Sequence, residues 1–228
     1  MRFTDIGLGL TIGCLALNLT NVAIAATPTP APVSQVPSVD RVAIYDSTNT
    51  TIRGNGVEFK LPAGFKGGSP SSAQTQAVLA ETAKIFPSMA SSLEAFYSNP
   101  ELIRAIATDT DARQTSSSMV LVTCLPIPAS VSLAEIQAAM VKVIPSALPP
   151  EFKLVDNQVL QIGSRQIVRL DIDATIQGTK IKESIGFFKA GGKIFQVTYV
   201  YGSENADRAM PIFEQMISTF KATTKTAS

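Results

Sequence analysis

Few residues in this chain could do chemistry. There is no His, so Ser-His-Asp or Cys-His catalysis and His-ligated zinc or haem lack their base or ligand. Proton transfer would fall to Asp, Glu, Lys, Tyr or Cys side chains. The best-spaced carboxylates are Asp171 and Asp173, two apart in a strand-like stretch, which puts both on one face. Such a pair could hold a cation or share a proton. A hard cation asks for more oxygen ligands than two residues supply, and the plainer reading is the solvated face of a strand that carries Leu170, Ile172 and Ala174 on its other side. An enzyme built on carboxylates alone would draw on Asp171, Asp173 and Glu183. Asp109 and Asp111 resemble the start of a calcium loop but lack its later Gly and Glu. They read as a polar turn after a helix.

The remaining reactive groups are isolated. Cys124 sits among Val122, Thr123 and Leu125, with none of the positive neighbours that make a thiolate, and reads as a small buried strand residue. The glycines at 64, 67 and 68 and at 191 and 192 lack the strand–loop–helix setting, with a Lys and a Ser or Thr, of a phosphate cradle. Lys180, Lys182, Lys189 and Lys193 lie along one predicted hairpin. They form either a docking edge for an acidic partner or charges that blunt an edge strand. No residue set implies a cofactor.

Composition agrees with a folded, non-nucleic-acid-binding domain. Apolar residues make up 45% of the chain, charged residues 16%, and the net charge is +1. That is enough apolar material for a core, and it gives no basic footprint for nucleic acid.

The start of the chain reads as an export leader. Arg2 precedes an apolar run from Ile6 to Leu19, and Ala23-Ile24-Ala25 before Ala26 fits a small-residue cleavage site. Cleavage between Ala25 and Ala26 is the first reading. Lipidation at Cys14, after Gly13, is a second, and an uncleaved anchor a third. Export predicts the periplasm or the thylakoid lumen, with a lipid anchor at Cys14 as the alternative. Residues 26–39 are a Pro-rich tether. One globular domain is expected over residues 40–222, followed by a flexible tail to 228.

The elements that must position these residues follow from periodicity. Short strands are expected at Arg41–Tyr45 and Val57–Leu61, with a polar turn region at 46–56 and an irregular loop from Pro62 to Pro70. Helical spacing of Val78, Leu79, Ile85, Phe86, Met89, Leu93 and Phe96 predicts a helix over Ala73–Phe96, interrupted at Pro87. Asn99-Pro100 reads as the start of a short helix to Ala107. Met119–Leu125 is an apolar strand. Ser132 and Glu135 form a capping box for the next helix, with its stripe at Leu133, Ile136, Met140, Val143 and Ile144. Strands follow at Phe152–Val155, Val159–Ile162 and Gln166–Ile176. A hairpin spans Ile181–Phe188 and Lys193–Tyr201, and a helix runs from Ala206 to Lys221. The order predicts an α+β fold, a central antiparallel sheet flanked by helices.

The run Ile185-Gly-Phe-Phe-Lys-Ala-Gly-Gly-Lys-Ile-Phe-Gln-Val-Thr-Tyr199, with Met210-Pro-Ile-Phe-Glu-Gln-Met-Ile-Ser-Thr-Phe220, resembles the C-terminal signature of the PsbP-like superfamily. Phe59-Lys-Leu-Pro-Ala-Gly-Phe65 is similar to the opening of those domains, and Ser132-Leu-Ala-Glu-Ile136 stands where their middle helix begins. The resemblance spans Val57 to Lys221 and implies an α/β/α sandwich. It also implies a non-catalytic accessory or assembly protein, peripheral to the membrane at most, that binds a membrane protein complex. Photosystem II is the example set by the photosynthetic members. Histidines serve among the metal-linked residues of the plant photosystem members, and this chain has none, so no metal role carries over. The other expectation is an exported protein that holds a small molecule between sheet and helices.

Overall fold

The computed structural model describes residues 49–73, 75–77, 80, 102–109, 118–148, 150–176 and 179–223. The leader with Cys14, Ala25 and Ala26, the Pro-rich stretch 26–39, the strand expected at Arg41–Tyr45, Asp111, most of the helix expected over 73–96 and the tail after 223 lie outside them.

A seven-stranded antiparallel sheet organises the described chain. Its strands are β3 (Phe65–Gly68), β4 (Ile103–Asp109), β5 (Met119–Leu125), β6 (Phe152–Ile162), β7 (Arg165–Ile176), β8 (Thr179–Ala190) and β9 (Lys193–Gly202), in the order β3-β4-β5-β9-β8-β7-β6. A second, three-stranded sheet joins β1 (Asn49–Gly54), β2 (Val57–Pro62) and the two-residue β10 (Lys221–Ala222). Helix α1 spans Leu133–Ala147 and α2 spans Ala206–Thr219. This is the expected α+β sandwich, and its second layer is built partly of strands.

Side-chain alternation along the central strands feeds two cores. One gathers Met119, Leu121, Leu170, Ile172, Ile181, Ile185, Phe187 and Val200 against Leu133, Ile136, Met140 and Ile144 of α1. The other gathers Val120, Val122, Cys124, Phe188, Phe195, Val197 and Tyr199 against α2 and the small sheet. Strand β9 supplies both, because successive residues point to opposite faces. Near its middle, α2 lies almost on the backbone of β8. A Cβ on Gly186 would stand 2.6 Å from Phe213 Cζ, so glycine there sets how deep the helix sits.

Several local expectations are corrected. Residues 49–54, expected as a turn region, form β1, which pairs with β2 across Asn55-Gly56, where Gly56 has φ +72. The loop expected from Pro62 to Pro70 contains β3. There Gly67 has φ +150, and a Cβ would collide with the Ile106 carbonyl at 2.1 Å. The helix expected to reach Ala107 gives way to β4, whose Ile103, Ala105, Ile106 and Ala107 are buried. The two strands expected at 152–155 and 159–162 are one, β6, with a bulge between Leu154 and Asp156. Capping at Ser132 is as expected. Ser132 Oγ accepts from the Glu135 amide, and a Glu135 carboxylate oxygen accepts from the Ser132 amide at 2.7 Å.

Candidate functional site

On β7, Arg169, Asp171 and Asp173 share one side by alternation, the side that α2 crosses. Met210 of α2 takes a hydrogen bond from Arg169 Nη1 at 3.0 Å, and the carbonyls of Ile217, in the last turn, and of Phe220, just past the helix end, take hydrogen bonds from Arg165. The helix thus crosses toward the start of β7. It leaves the other end of β6, β7 and β8 as a shelf of polar side chains.

Cross-strand register assembles the shelf. Asp171 stands opposite Ser184 and Asp173 opposite Lys182. Ser184 Oγ donates to Asp171 at 2.8 Å, and its oxygen lies 3.3 Å from the Tyr201 hydroxyl. Lys182 Nζ donates to Asp173 at 2.8 Å, and this bond holds the ammonium above its ordinary value. Arg169 Nη2 lies 2.7 Å from Asp171 and 3.9 Å from Asp156 on β6. Asp156 and Asp171 are direct cross-strand partners, a like-charge placement that is unfavourable alone, and Arg169 between them offsets it. Burial pushes the Tyr201 phenol up, and its hydrogen bond with Ser184 opposes part of that shift, so it stays a neutral group at the back of the shelf.

The shelf is a set of fixed, partly exposed charges. The side chains of Asp156, Asp173 and Lys182 are 41%, 46% and 33% exposed, those of Asp171 and Arg169 21% and 12%. Three carboxylates are bonded to or face Arg169 and Lys182, and exposed Lys153, opposite Asp173 on β6, and Lys180, two residues before Lys182, share the face, so the shelf carries both signs of charge. Asp171 and Asp173 do share a face, as their spacing predicts, yet each is engaged by its own basic partner. Among the described residues no group of three or more His, Cys, Asp or Glu could hold a metal ion.

The lysine group is dispersed by the fold. Both β8 and β9 have neighbours on each side, so Lys180, Lys182, Lys189 and Lys193 line no sheet edge, which corrects the edge reading. Lys182 belongs to the shelf, with Lys180 two residues before it. Lys189 is at the other end of the hairpin and donates to the Ala129 carbonyl at 2.6 Å, and exposed Lys193 follows the turn. Asp109, expected in a turn, is buried at the end of β4. Cys124 is buried in β5 as expected.

The opposite face holds an unusual carboxyl. Glu183 alternates with Ile181, Ile185 and Phe187, opposite Ile172 and Val200, all members of the core under α1. It is 3% exposed, and neither carboxyl oxygen has a hydrogen-bond partner. Burial drives it well above the usual carboxylate range. On the same face Thr123 Oγ1 and Gln196 Oε1 are also unpaired, while Gln196 Nε2 donates to Thr198 at 3.0 Å.

Sequence reasoning missed Arg169, Asp156, Ser184 and Tyr201. Arg169 was findable, since it precedes the Asp pair at the same two-residue spacing. The other three depend on register. Sequence reasoning also took the chain to hold no Ser-x-x-Lys spacing, and Ser218 to Lys221 is one. It falls at the end of α2, where the Ser218 hydroxyl donates to the Gln215 carbonyl at 3.0 Å, and nothing presents it as a nucleophile.

No family model and no curated protein matches the chain. Solved structures similar to it include the cyanobacterial PsbP protein CyanoP from Synechocystis sp. PCC 6803 (12% identity, TM-score 0.47, covering 82% of this chain and 99% of that one). LpqN of Mycobacterium tuberculosis, described as involved in cell envelope biogenesis, aligns at 10% identity and TM-score 0.48, covering 78% of this chain and 91% of that one. The Saccharomyces cerevisiae Ran-binding protein Mog1p aligns at 10% identity and TM-score 0.44, covering 77% and 95%. Among the described residues no helix is long and apolar enough to cross a membrane.

Proposed function

We propose that this chain is an exported, non-catalytic accessory protein that docks onto a protein partner through the charged shelf on β6, β7 and β8. The observation that carries the reading is the cluster Asp156–Arg169–Asp171 with Asp173–Lys182, partly exposed and fixed on strands. Charges held in place by a sheet lose little side-chain freedom on binding, and complementary charge gives orientation and encounter rate more than raw affinity. The fixed pattern of both signs selects a partner surface with the complementary pattern. Export is supported by the leader-like start, with a lumenal or periplasmic protein complex at a membrane as the partner class. The absence of His supports the non-catalytic part of the reading.

Affinity capture of the tagged chain from native host membranes, with crosslinking, tests this. Crosslinks are expected from Lys180 and Lys182. Recovery should fall several-fold in an Asp156→Lys variant, and also when salt is raised, because exposed charges are screened. Recovery unchanged in that variant, or crosslinks confined to the α1 face, would place the docking surface elsewhere. A turnover activity of the free protein would overturn the non-catalytic reading.

A further inference from the structure

The docking shelf leaves the α1 side of the sheet without a role, and that side holds a buried carboxyl with no hydrogen-bond partner. We propose that Glu183 is a proton-operated latch for α1: the helix stays seated on β6, β7 and β8 while the carboxyl carries its proton, and lifts when the proton is lost to solvent.

The geometry confines the charge to one outlet. Glu183 is on an interior strand, so its backbone is held on both sides by β7 and β9. Its side chain projects into the layer between sheet and helix, among Ile172, Ile181, Ile185 and Val200. Both oxygens lack a partner. A carboxylate there would be a buried charge with neither counter-ion nor donors, which proteins avoid by neutralising it or by moving it to water.

Among the described residues no neighbouring element supplies a compensating cation. On this face β7 presents Leu170, Ile172 and Ala174, β9 presents Ile194, Gln196, Thr198 and Val200, and β5 presents Met119, Leu121, Thr123 and Leu125. The buried stripe of α1 is Leu133, Ile136, Met140 and Ile144. Its charged residues are Glu135, tied to Ser132, and exposed Lys142. The cations of β7 and β8 are no nearer. Arg169 and Lys182 point to the other face and are paired there, and Lys189, though it alternates with Glu183, is bonded to Ala129 at the far end of the hairpin.

Of the layers around Glu183, the sheet is the harder to open. β8 shares a ten-residue register with each neighbouring strand. Helix α1 is held by apolar contacts, one capping box and the Gln137–Asn157 hydrogen bond at 3.1 Å. The helix is therefore the part that yields. In the lifted state Glu183 is wet and titrates in the usual carboxylate range. Seated, it holds its proton to higher pH. Linkage between these two states makes opening grow by up to about tenfold per pH unit between the two values. The seated form is favoured in acid and weakens as pH rises.

Hydrogen exchange measured by mass spectrometry on the full chain from pH 4.5 to 9, corrected for intrinsic rates, tests the latch. Protection of residues 133–147 is expected to fall with pH by up to about tenfold per unit, while the β8–β9 hairpin keeps its protection. In Glu183→Gln the protection of α1 should stay flat with pH. Glu183→Leu is the second variant, with nothing to ionise and no polar atom to bury, and should also be flat. Protection of α1 that is independent of pH in the unaltered chain, or that falls equally in both variants, overturns the latch. So does loss of hairpin protection in step with α1, which would make Glu183 a burden on the whole fold.

Discussion

At Gly186 the strand carries no side chain because α2 occupies the space. Phe213 is fully buried there, and a Cβ would stand 2.6 Å from its ring. Gly186→Ala must push the helix off the sheet or turn the ring, an overpacking cost of about 1–3 kcal/mol. A urea denaturation midpoint lowered to match is the expected result, and an unchanged midpoint would mean that α2 shifts freely. At this scale much of the site could be read from residue parity. Asp171 and Asp173 shared a face, and Glu183 shared parity with Ile181, Ile185 and Phe187, which already marks a carboxyl on an apolar side. Parity could not say which residues stand opposite. Ser184 meets Asp171, and Lys182 meets Asp173, only because β8 pairs with β7 in one register. A slip of one residue would turn the same side chains to the other face.

Elements with their own local code were legible, and those defined by partners were not. Helix α1 begins where its capping box says, and α2 and the β8–β9 hairpin follow their apolar spacing and paired glycines. Strand β4 was hidden by Asn99-Pro100, a good helix start on local chemistry, but β3 and β5 pair with the following residues and bury them. Likewise β1 has a polar sequence, Asn-Thr-Thr-Ile-Arg-Gly, and becomes a strand because β2 pairs with it and Ile52 is buried. The cap of α1 makes its own prediction. Ser132 holds the Glu135 carboxyl below its ordinary value by a side-chain and a backbone hydrogen bond. A depressed carboxyl adds stability above the ordinary carboxylate range and loses it as pH falls through the depressed value. Ser132→Ala should cost about 1 kcal/mol near neutral pH, and the gap from the unaltered chain should narrow in acid. Thermal melts of the two proteins across pH 2.5–7 measure this. A gap that stays constant down to the lowest pH would show that the carboxylate adds nothing to the cap.

For the whole molecule, the sheet matters as a shared wall. Strand β9 sends Ile194 and Val200 into the core under α1 and Phe195, Val197 and Tyr199 into the core under α2. Neither core can dissolve without loosening the strand that bounds the other. The second core is tied at Phe220, just past the end of α2. Its ring stacks on Phe59 of the small sheet at 6.2 Å between centroids and meets Phe188 and Phe195 edge-on at 4.9 and 5.0 Å, with the Arg165 guanidinium 5.9 Å away. Phe220→Ala removes the contact that joins small sheet, α2 and large sheet, at a cost of about 3–5 kcal/mol. If the wall couples the two faces, that loss reaches α1 although Phe220 lies on the opposite side. Denaturant unfolding in mild acid, where burial favours the protonated Glu183 and α1 stays seated, should show β2 and α1 losing exchange protection at one midpoint in the parent protein. The two midpoints should move down together in Phe220→Ala. A midpoint for α1 that stayed in place while that of β2 fell would mean that the faces fold as separate units on a common sheet. The latch would then act on α1 alone, with no means of altering the docking shelf. A joint shift would mean that unseating α1 also loosens the strands that carry Asp171 and Lys182, so that pH sensed on one face could weaken docking on the other.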